Sequence, residues 1–273
     1  MTLQDKLSQY KTEGRALLAA NFYNFETLAG ILKAAKELEE PVILQLSESS
    51  INYLGLEVAA NLARAGLSQF GVEGWLHLDH GSTSELALRC LDAGFDSVMI
   101  DGSEKLFEEN IRITRKVVEM AKSYGANVEA ELGFIAKLGQ EQDTDGFTKP
   151  EQARDFVAQT GVNALAVAIG TAHGFYKQEP KLDLERLSQI NAITPVPLVL
   201  HGGSGIPDEM LRNAIKRGIV KVNLATDSKN TFMKELKNVL FNTNEIDLRK
   251  TFPPAIEAVK ELIVQKIRLV SMR

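Results

Sequence analysis

Short runs of β-branched and other apolar residues recur eight times between residues 16 and 222, each followed by a longer stretch with helical spacing. The runs fall at 16–20, 42–46, 75–78, 97–100, 128–132, 165–169, 198–200 and 219–222. Between them, segments such as 26–38, 56–65, 85–93 and 109–124 carry apolar residues at intervals of three and four, as a helix that buries one face requires. Regular strand–helix alternation predicts a parallel sheet, and eight repeats predict closure into a TIM (β/α)8 barrel. An open, doubly wound sheet is the competing arrangement. The 273 residues suit the barrel, which occupies about 250 as a single unit. No Gly- or Pro-rich linker divides the chain, so residues 1–273 read as one α/β domain, with an additional C-terminal helix at about 253–270. Ser82-Thr83-Ser84-Glu85 and Thr148-Lys149-Pro150-Glu151 read as capping boxes that start helices. The stretch 131–149 is the longest connection, a candidate mobile loop over a site.

Composition narrows the classes of partner. A net charge of −5 gives no reason to expect nucleic acid or an anionic membrane, since neither attracts an acidic surface. A site for an anionic substrate must then rest on local features such as backbone amides, helix N-termini, a metal or single cations. The only cysteine, Cys90, lies in an apolar helical pattern and reads as a buried structural thiol, which fits a reducing cytoplasm. The opening residues 1–6 do not read as a signal peptide, and no apolar run approaches the roughly 18 residues that span a bilayer.

In a barrel of this kind the chemistry belongs to the C-terminal ends of the strands. Asn21 follows the first run and Ser47 the second; Asp79 and His80 follow the third and Asp101 the fourth. Glu131 ends the fifth, His173 lies beyond the sixth, His201 beyond the seventh and Asn223 after the eighth. Three of the four histidines thus reach one rim. Three imidazoles with an open fourth position form a catalytic zinc arrangement, whereas a structural site would be closed and usually thiolate-rich. His77, inside the third run with parity opposite to His80, reads as a satisfied structural histidine. Glu131 reads either as an additional or alternative metal ligand, or as a carboxylate that orients a histidine. Gly202-Gly203-Ser204-Gly205 precedes a helix starting near Pro207, and Asn223-Leu224-Ala225-Thr226 precedes the last barrel helix. Loops after strands seven and eight often hold phosphate, so the two motifs together point to a phosphorylated substrate.

Five ordered motifs carry a resemblance. Leu78-Asp79-His80-Gly81, Val128-Glu129-Ala130-Glu131-Leu132-Gly133, Gly170-Thr171-Ala172-His173-Gly174, Leu200-His201-Gly202-Gly203-Ser204-Gly205 and Lys221-Val222-Asn223-Leu224-Ala225-Thr226 resemble the class II fructose/tagatose-bisphosphate aldolases. The similarity runs from about Asn21 to the C-terminal helix. It implies a Zn2+ ion held by His80, His173 and His201, with Glu131 near an alternative metal position. The ion would polarise the ketone of dihydroxyacetone phosphate and stabilise the enediolate. Asp79 would exchange a proton with, or hydrogen-bond to, the C4 oxygen. Gly174, Gly202, Ser204, Asn223 and Thr226 would hold the dihydroxyacetone-phosphate end, with a monovalent cation (Na+ or K+) nearby. Asn21 and Ser47 match positions facing the second half of the substrate, and Arg249 matches an arginine that grips the far phosphate. A homo-oligomer, dimer or tetramer, is expected.

The chain departs from the family pattern in two places. Leu248 replaces the proline of an Asp-Pro-Arg motif, and Leu138-Gly139-Gln140-Glu141-Gln142 stands where the family reads Gly-Gly-x-Glu-Asp, in a loop about two residues longer. Glu141 matches the glutamate that shuttles the C3 proton. Ala225 occupies a position where fructose-type members usually carry Asp or Asn and tagatose-type members Ala. The expected activity is metal-dependent cleavage of a phosphorylated ketose, with tagatose 1,6-bisphosphate slightly favoured over fructose 1,6-bisphosphate. A non-catalytic barrel subunit supporting an aldolase is a competing reading, and a Schiff-base aldolase using Lys221, the only strand lysine in view, is another.

Overall fold

The computed structural model describes residues 1–135, 146–176 and 179–272. Eight parallel strands, β1 (Leu17–Asn21), β2 (Val42–Ser47), β3 (Gly74–Gly81), β4 (Ser97–Ile100), β5 (Asn127–Leu132), β6 (Ala164–Val167), β7 (Leu198–Leu200) and β8 (Ile219–Leu224), pair in chain order and close where β8 meets β1. This is the TIM barrel that the alternation predicts. The helices are α1 (Leu3–Glu13), α2 (Phe25–Leu38), α3 (Glu48–Leu54), α4 (Leu56–Phe70), α5 (Ser84–Asp92), α6 (Phe107–Lys122), α7 (Pro150–Thr160), α8 (Leu184–Ile193), α9 (Asp208–Ile215), α10 (Thr226–Asn242), α11 (Leu248–Thr251) and α12 (Pro253–Val270). α12 matches the expected terminal helix, whereas β3 runs three residues past the expected end and takes in Asp79 and His80.

Alternation along each strand sorts residues into two layers. Leu18, Leu44, Leu76 and Val98 point outward into the core shared with the helices, where Cys90 is also buried. α12 lies close against α2 because position 30 is glycine: a Cβ there would meet Val259 Cγ1 at 2.7 Å. The inward residues form the second layer, and their chemistry changes along the barrel axis. At the N-terminal end they are apolar: Leu17, Ala19, Ile43, Trp75 and Val220. Higher up they become Gln45, His77, Ser97, Glu129 and Lys221, all buried and polar.

The apolar end is closed by α1, a helix that the sequence reading passed over. Only Leu3, Leu7 and Tyr10 are apolar on its buried side, and they pack directly onto the inward floor residues. Thr2 and Asp5 cap its start reciprocally, and Gly14 ends it in the left-handed conformation. A clasp holds it to the barrel. Tyr10 Oη donates to Glu40 Oε2 at 2.8 Å, Arg15 Nη2 donates to Glu40 Oε1 at 2.7 Å, and the guanidinium lies 4.4 Å from the Tyr10 ring centroid.

Both expected capping boxes are corrected. α5 is capped by Thr83, whose Oγ1 accepts from the Leu86 amide at 3.1 Å, while Ser82 Oγ donates to Glu48 instead. Thr148 does not cap α7. Its hydroxyl donates to the Leu132 carbonyl and accepts from the Ala168 amide, bridging two groups whose direct bond is stretched to 3.4 Å and so stitching β5 to the chain leaving β6. Pro150 does occupy the first turn of α7.

Because Leu7 is fully buried between α1 and the floor, Leu7→Ala should leave the barrel assembled but less stable by about 2–5 kcal/mol. Urea unfolding measures this, and a loss below 1 kcal/mol would show that α1 does not seal the floor.

Candidate active site

β3 departs from regular geometry where it enters the site. Trp75, His77 and Asp79 face inward, so strict alternation would send His80 outward among the helices. The pairing of β3 with β4 shifts between Leu78 and Gly81, and His80 adopts φ +52°, which returns its ring to the barrel mouth. A left-handed conformation at a non-glycine residue costs roughly 1–2 kcal/mol. The next residue must be small, since a Cβ on Gly81 would lie 2.5 Å from the Met99 carbonyl. His77 is therefore inward, not of opposite facing as its spacing from His80 predicts, although it is the satisfied histidine expected. It is fully buried, with Nδ1 2.7 Å from Ser97 Oγ.

The other three histidines converge. His80 Nε2 lies 3.2 Å from His173 Nε2 and 2.9 Å from His201 Nδ1. Zinc–nitrogen bonds of about 2.0–2.1 Å in a tetrahedron separate ligand nitrogens by about 3.3 Å, so the donors stand near the spacing the ion requires. A second set, His80, Asp101 and Glu131, places ligand atoms within 4.8 Å of one another. Glu131 Oε2 is buried without a hydrogen-bond partner, as suits a carboxylate placed for a cation. Burial, reinforced by the charge of Asp101, pushes the Glu131 carboxyl up to about 8.

The remaining electrostatics are asymmetric. Burial works against a charge on His80, but Asp79 and the 2.8 Å bond between its Nδ1 and Asp101 outweigh it and raise the group to about 9. Burial and the nearby His80 lower His173, and burial lowers His201. Carboxylates thus favour positive charge at one corner of the triad, where a metal would supply it. Burial opposes ionisation of Asp79, yet His80, His201 and a hydrogen bond from Asn21 hold its pKa below the usual carboxylate range. Asn21 Nδ2 donates to Asp79 Oδ2 at 2.8 Å and Asn223 Nδ2 to Oδ1 at 3.2 Å. Gln45 Nε2 in turn donates to Asn21 Oδ1 at 3.0 Å.

Asp79 and the three histidines line a cavity of about 230 Å³ at the barrel mouth. Its other walls include the predicted Asn21, Ser47, Gly174, Gly202, Ser204, Asn223 and Thr226. The glycines there meet backbone. A Cβ on Gly202, at φ +70°, would lie 2.3 Å from the Ala172 carbonyl, and one on Gly203 would lie 2.6 Å from that of Asn223. α10 begins at Thr226 with no side-chain cap, and Ser204 Oγ accepts from the Asp227 amide at 3.1 Å. Tyr176 Oη bridges the two loops, accepting from the Ala172 amide and donating to the Gly202 carbonyl at 2.9 Å.

Two predicted site residues are not in this constellation. Arg249, on α11, is not brought to the cavity; its side chain is 90% exposed and paired with Asp247, which the short 247–249 spacing favours. Glu141 lies outside the described residues, as does the rest of the 138–142 motif. Conversely, the structure adds residues the sequence reading did not assign. Asp101 was visible as a strand-end carboxylate, and Glu129 shares the inward face of Glu131 at a spacing of two. Tyr23 and Lys229 also line the cavity, Lys229 one turn after Thr226. Lys221 does not reach the cavity lining; its ammonium is buried against Glu129 at 2.7 Å.

Comparison with known proteins agrees with this geometry. The family described as fructose-bisphosphate aldolase class-II matches residues 1–273. A fructose-bisphosphate aldolase of Helicobacter pylori is 39% identical over 286 residues, covering 94% of this chain and 93% of that one. One of Staphylococcus epidermidis is 40% identical over 276 residues, covering 98% and 96%. Among solved structures, the YdjI aldolase of Escherichia coli K12 superposes with a TM-score of 0.87 at 31% identity, covering 99% of this chain and 96% of that one. With five motifs in order, a closed barrel and a match over its whole length, the chain belongs to the class II fructose-bisphosphate aldolase family.

Proposed function

We propose that the protein is a zinc-dependent aldolase that cleaves a ketose 1,6-bisphosphate to dihydroxyacetone phosphate and an aldehyde such as glyceraldehyde 3-phosphate. The observation that carries this reading is the convergence of His80, His173 and His201 beside Asp79 in one cavity at the barrel mouth. Zinc, when bound by the three histidines, supplies a Lewis acid that polarises the substrate ketone. The chain's own groups do the rest. Asp79, held ionised and aimed by Asn21 and Asn223, takes the proton of the C4 hydroxyl as the C3–C4 bond breaks, with the bonding electrons passing toward the ketone. The hydroxyl oxygen becomes the aldehyde carbonyl, and the reverse transfer serves condensation. Glu141 is assigned the proton at C3 on the resemblance alone.

Gly174, Gly202, Ser204, Asn223 and Thr226 are assigned to the phosphate of the dihydroxyacetone end, with Na+ or K+ as an auxiliary cation. The N-terminus of α10, which has no cap from its own N-cap residue and is met by Ser204 at the Asp227 amide, and the backbone approach at Gly202 and Gly203 support this, since amides at a helix start attract anions. Asn21 and Ser47 face the other half of the substrate. A Schiff base at Lys221 finds no support in a buried, carboxylate-paired ammonium. Exposed Phe241, Ile246 and Leu248 support assembly into a dimer or tetramer, which light scattering measures. Among the described residues no helix is long and apolar enough to cross a membrane.

Prolonged chelation should abolish cleavage, and added zinc should restore it. Full activity in protein shown by elemental analysis to be metal-free would refute the mechanism. Asp79→Ala should fold and retain zinc yet lose kcat by about 10²–10⁴-fold. Near-normal turnover at unchanged stability would remove Asp79 from its role.

The substrate preference turns on Ala225, which lines the cavity immediately before α10. Fructose and tagatose bisphosphates differ only at C4, the carbon whose oxygen meets Asp79. A methyl group offers no hydrogen bond, so this position cannot reward the fructose configuration as a carboxylate or amide would; the missing contact is worth about 1–3 kcal/mol. Tagatose 1,6-bisphosphate, or another non-fructose phosphorylated ketose, is therefore expected to be the better substrate, although the relatives above are named for fructose bisphosphate. The ratio of kcat/KM for the two bisphosphates decides it, and a tenfold advantage for fructose would overturn the reading of Ala225 alone.

A further inference from the structure

Beneath the cavity, β3, β5 and β8 enclose polar groups for which the reaction above has no direct use. Lys221 Nζ lies 2.7 Å from Glu129 Oε2 and 3.3 Å from His77 Nε2. The other oxygen of Glu129 lies 2.8 Å from His201 Nε2, and His77 Nδ1 lies 2.7 Å from Ser97 Oγ. All five side chains are buried. Barrel interiors at this level are commonly filled by branched aliphatic residues. A buried ion pair is no more stabilising than well-packed apolar side chains of the same volume, so stability does not account for this one.

Donor and acceptor capacity assigns every proton in the chain. An ammonium can only donate, so Lys221 gives one hydrogen to Glu129 and one to His77 Nε2, which leaves the His77 proton on Nδ1 facing Ser97. An ionised carboxylate can only accept. Oε1 of Glu129, at 2.8 Å, therefore takes its hydrogen bond from His201 Nε2–H, while the Asn223 amide, 3.2 Å from the same nitrogen, donates to Asp79; the lone pair of that ring falls on Nδ1. This is the nitrogen that lies 2.9 Å from His80 Nε2, at the point where the three histidines meet. Which nitrogen of a ligating histidine is free for metal is set by the bond its other nitrogen makes.

We propose that Lys221 is a positioning residue for the metal site: by engaging one oxygen of Glu129 it turns the other toward His201 and fixes the tautomer that offers Nδ1 to zinc. It touches neither substrate nor metal and acts at a remove of two hydrogen bonds. The inference rests on the zinc reading given above.

Two substitutions separate this from a packing role. In Glu129→Gln one oxygen becomes an amino group; Lys221 claims the remaining oxygen, so the amino group faces His201 Nε2 and drives the ring proton onto Nδ1. Zinc affinity of the full chain, measured by competition with a chromophoric chelator, should fall about 10–100-fold. Lys221→Met, of similar length and uncharged, should weaken zinc roughly tenfold by releasing the carboxylate from its orientation. In the double variant the amide is free to turn and present its oxygen to His201, so Lys221→Met should strengthen zinc binding at least fivefold relative to Glu129→Gln alone. That reversal of sign in zinc affinity is the expected result, because a loss of packing alone gives the double variant no means of regaining the ion. Additive losses, or a lowered Tm with zinc affinity unchanged, would overturn the proposal. Glu129→Gln preserves volume, so if Lys221→Met does not fold, wild-type affinity in Glu129→Gln overturns it as well. Failure of the wild-type protein to bind zinc would instead bring down the reading of the site.

Discussion

Hydrogen bonds between β1 and β8 turn a ribbon of eight strands into a ring, and each juxtaposition in the site depends on that closure. Leu17 pairs with Lys221 and Ala20 with Leu224, so the first and last strands stand side by side. Asn21 and Asn223, two hundred positions apart in the chain, thereby grip the two oxygens of one aspartate on β3. The same closure leaves the barrel interior without a free edge, so its polar residues turn to one another. His77, Ser97, Glu129 and Lys221 do so across the ring rather than along the chain, and Gln45 reaches Asn21 on the neighbouring strand.

Much of this was legible in the sequence because the barrel obeys simple periods. Eight apolar runs separated by helical spacing gave the closed sheet, and the strand ends then located three histidines, Asp79 and the glycine loops. What escaped notice was set by effects that period and composition do not record. α1 offers only Leu3, Leu7 and Tyr10 to the core in an otherwise polar segment, too few for an apolar pattern to stand out. His80 defeats the period-two rule through a local register shift and a left-handed residue. Thr148 has the spacing of a cap, yet its hydroxyl is taken by the Leu132 carbonyl and the Ala168 amide, which a long 3.4 Å bond of their own holds only loosely. Arg249 keeps the family's spacing to Asp247, and that same closeness ties its guanidinium to the aspartate. The Lys221–Glu129 pair joins strands far apart in sequence, and no local motif announces it.

Charge is distributed through the barrel with a consistent logic. Acidic groups, Asp79, Asp101 and Glu131, gather around His80, where positive charge is favoured, while burial works against a charge on His173 and His201. The buried Lys221 ammonium stands lower, where it neutralises Glu129 and stays away from the carboxylates at the mouth. On the proposed function, an acidic protein would in this way present a site for a doubly phosphorylated anion: the attraction would come from amides, a helix start and a cation rather than from net charge.

The α1 floor gives the barrel a blind end. Among the described residues, Leu3, Leu7 and Tyr10 pack with Trp75, Ile43 and Val220 across the bottom, so the polar interior faces the opposite rim. On the proposed function, metal ion and organic cargo would then share one doorway. An occupant lying across the histidines would stand between such an ion and bulk solvent, so escape of the ion would become slower whenever the vessel is full.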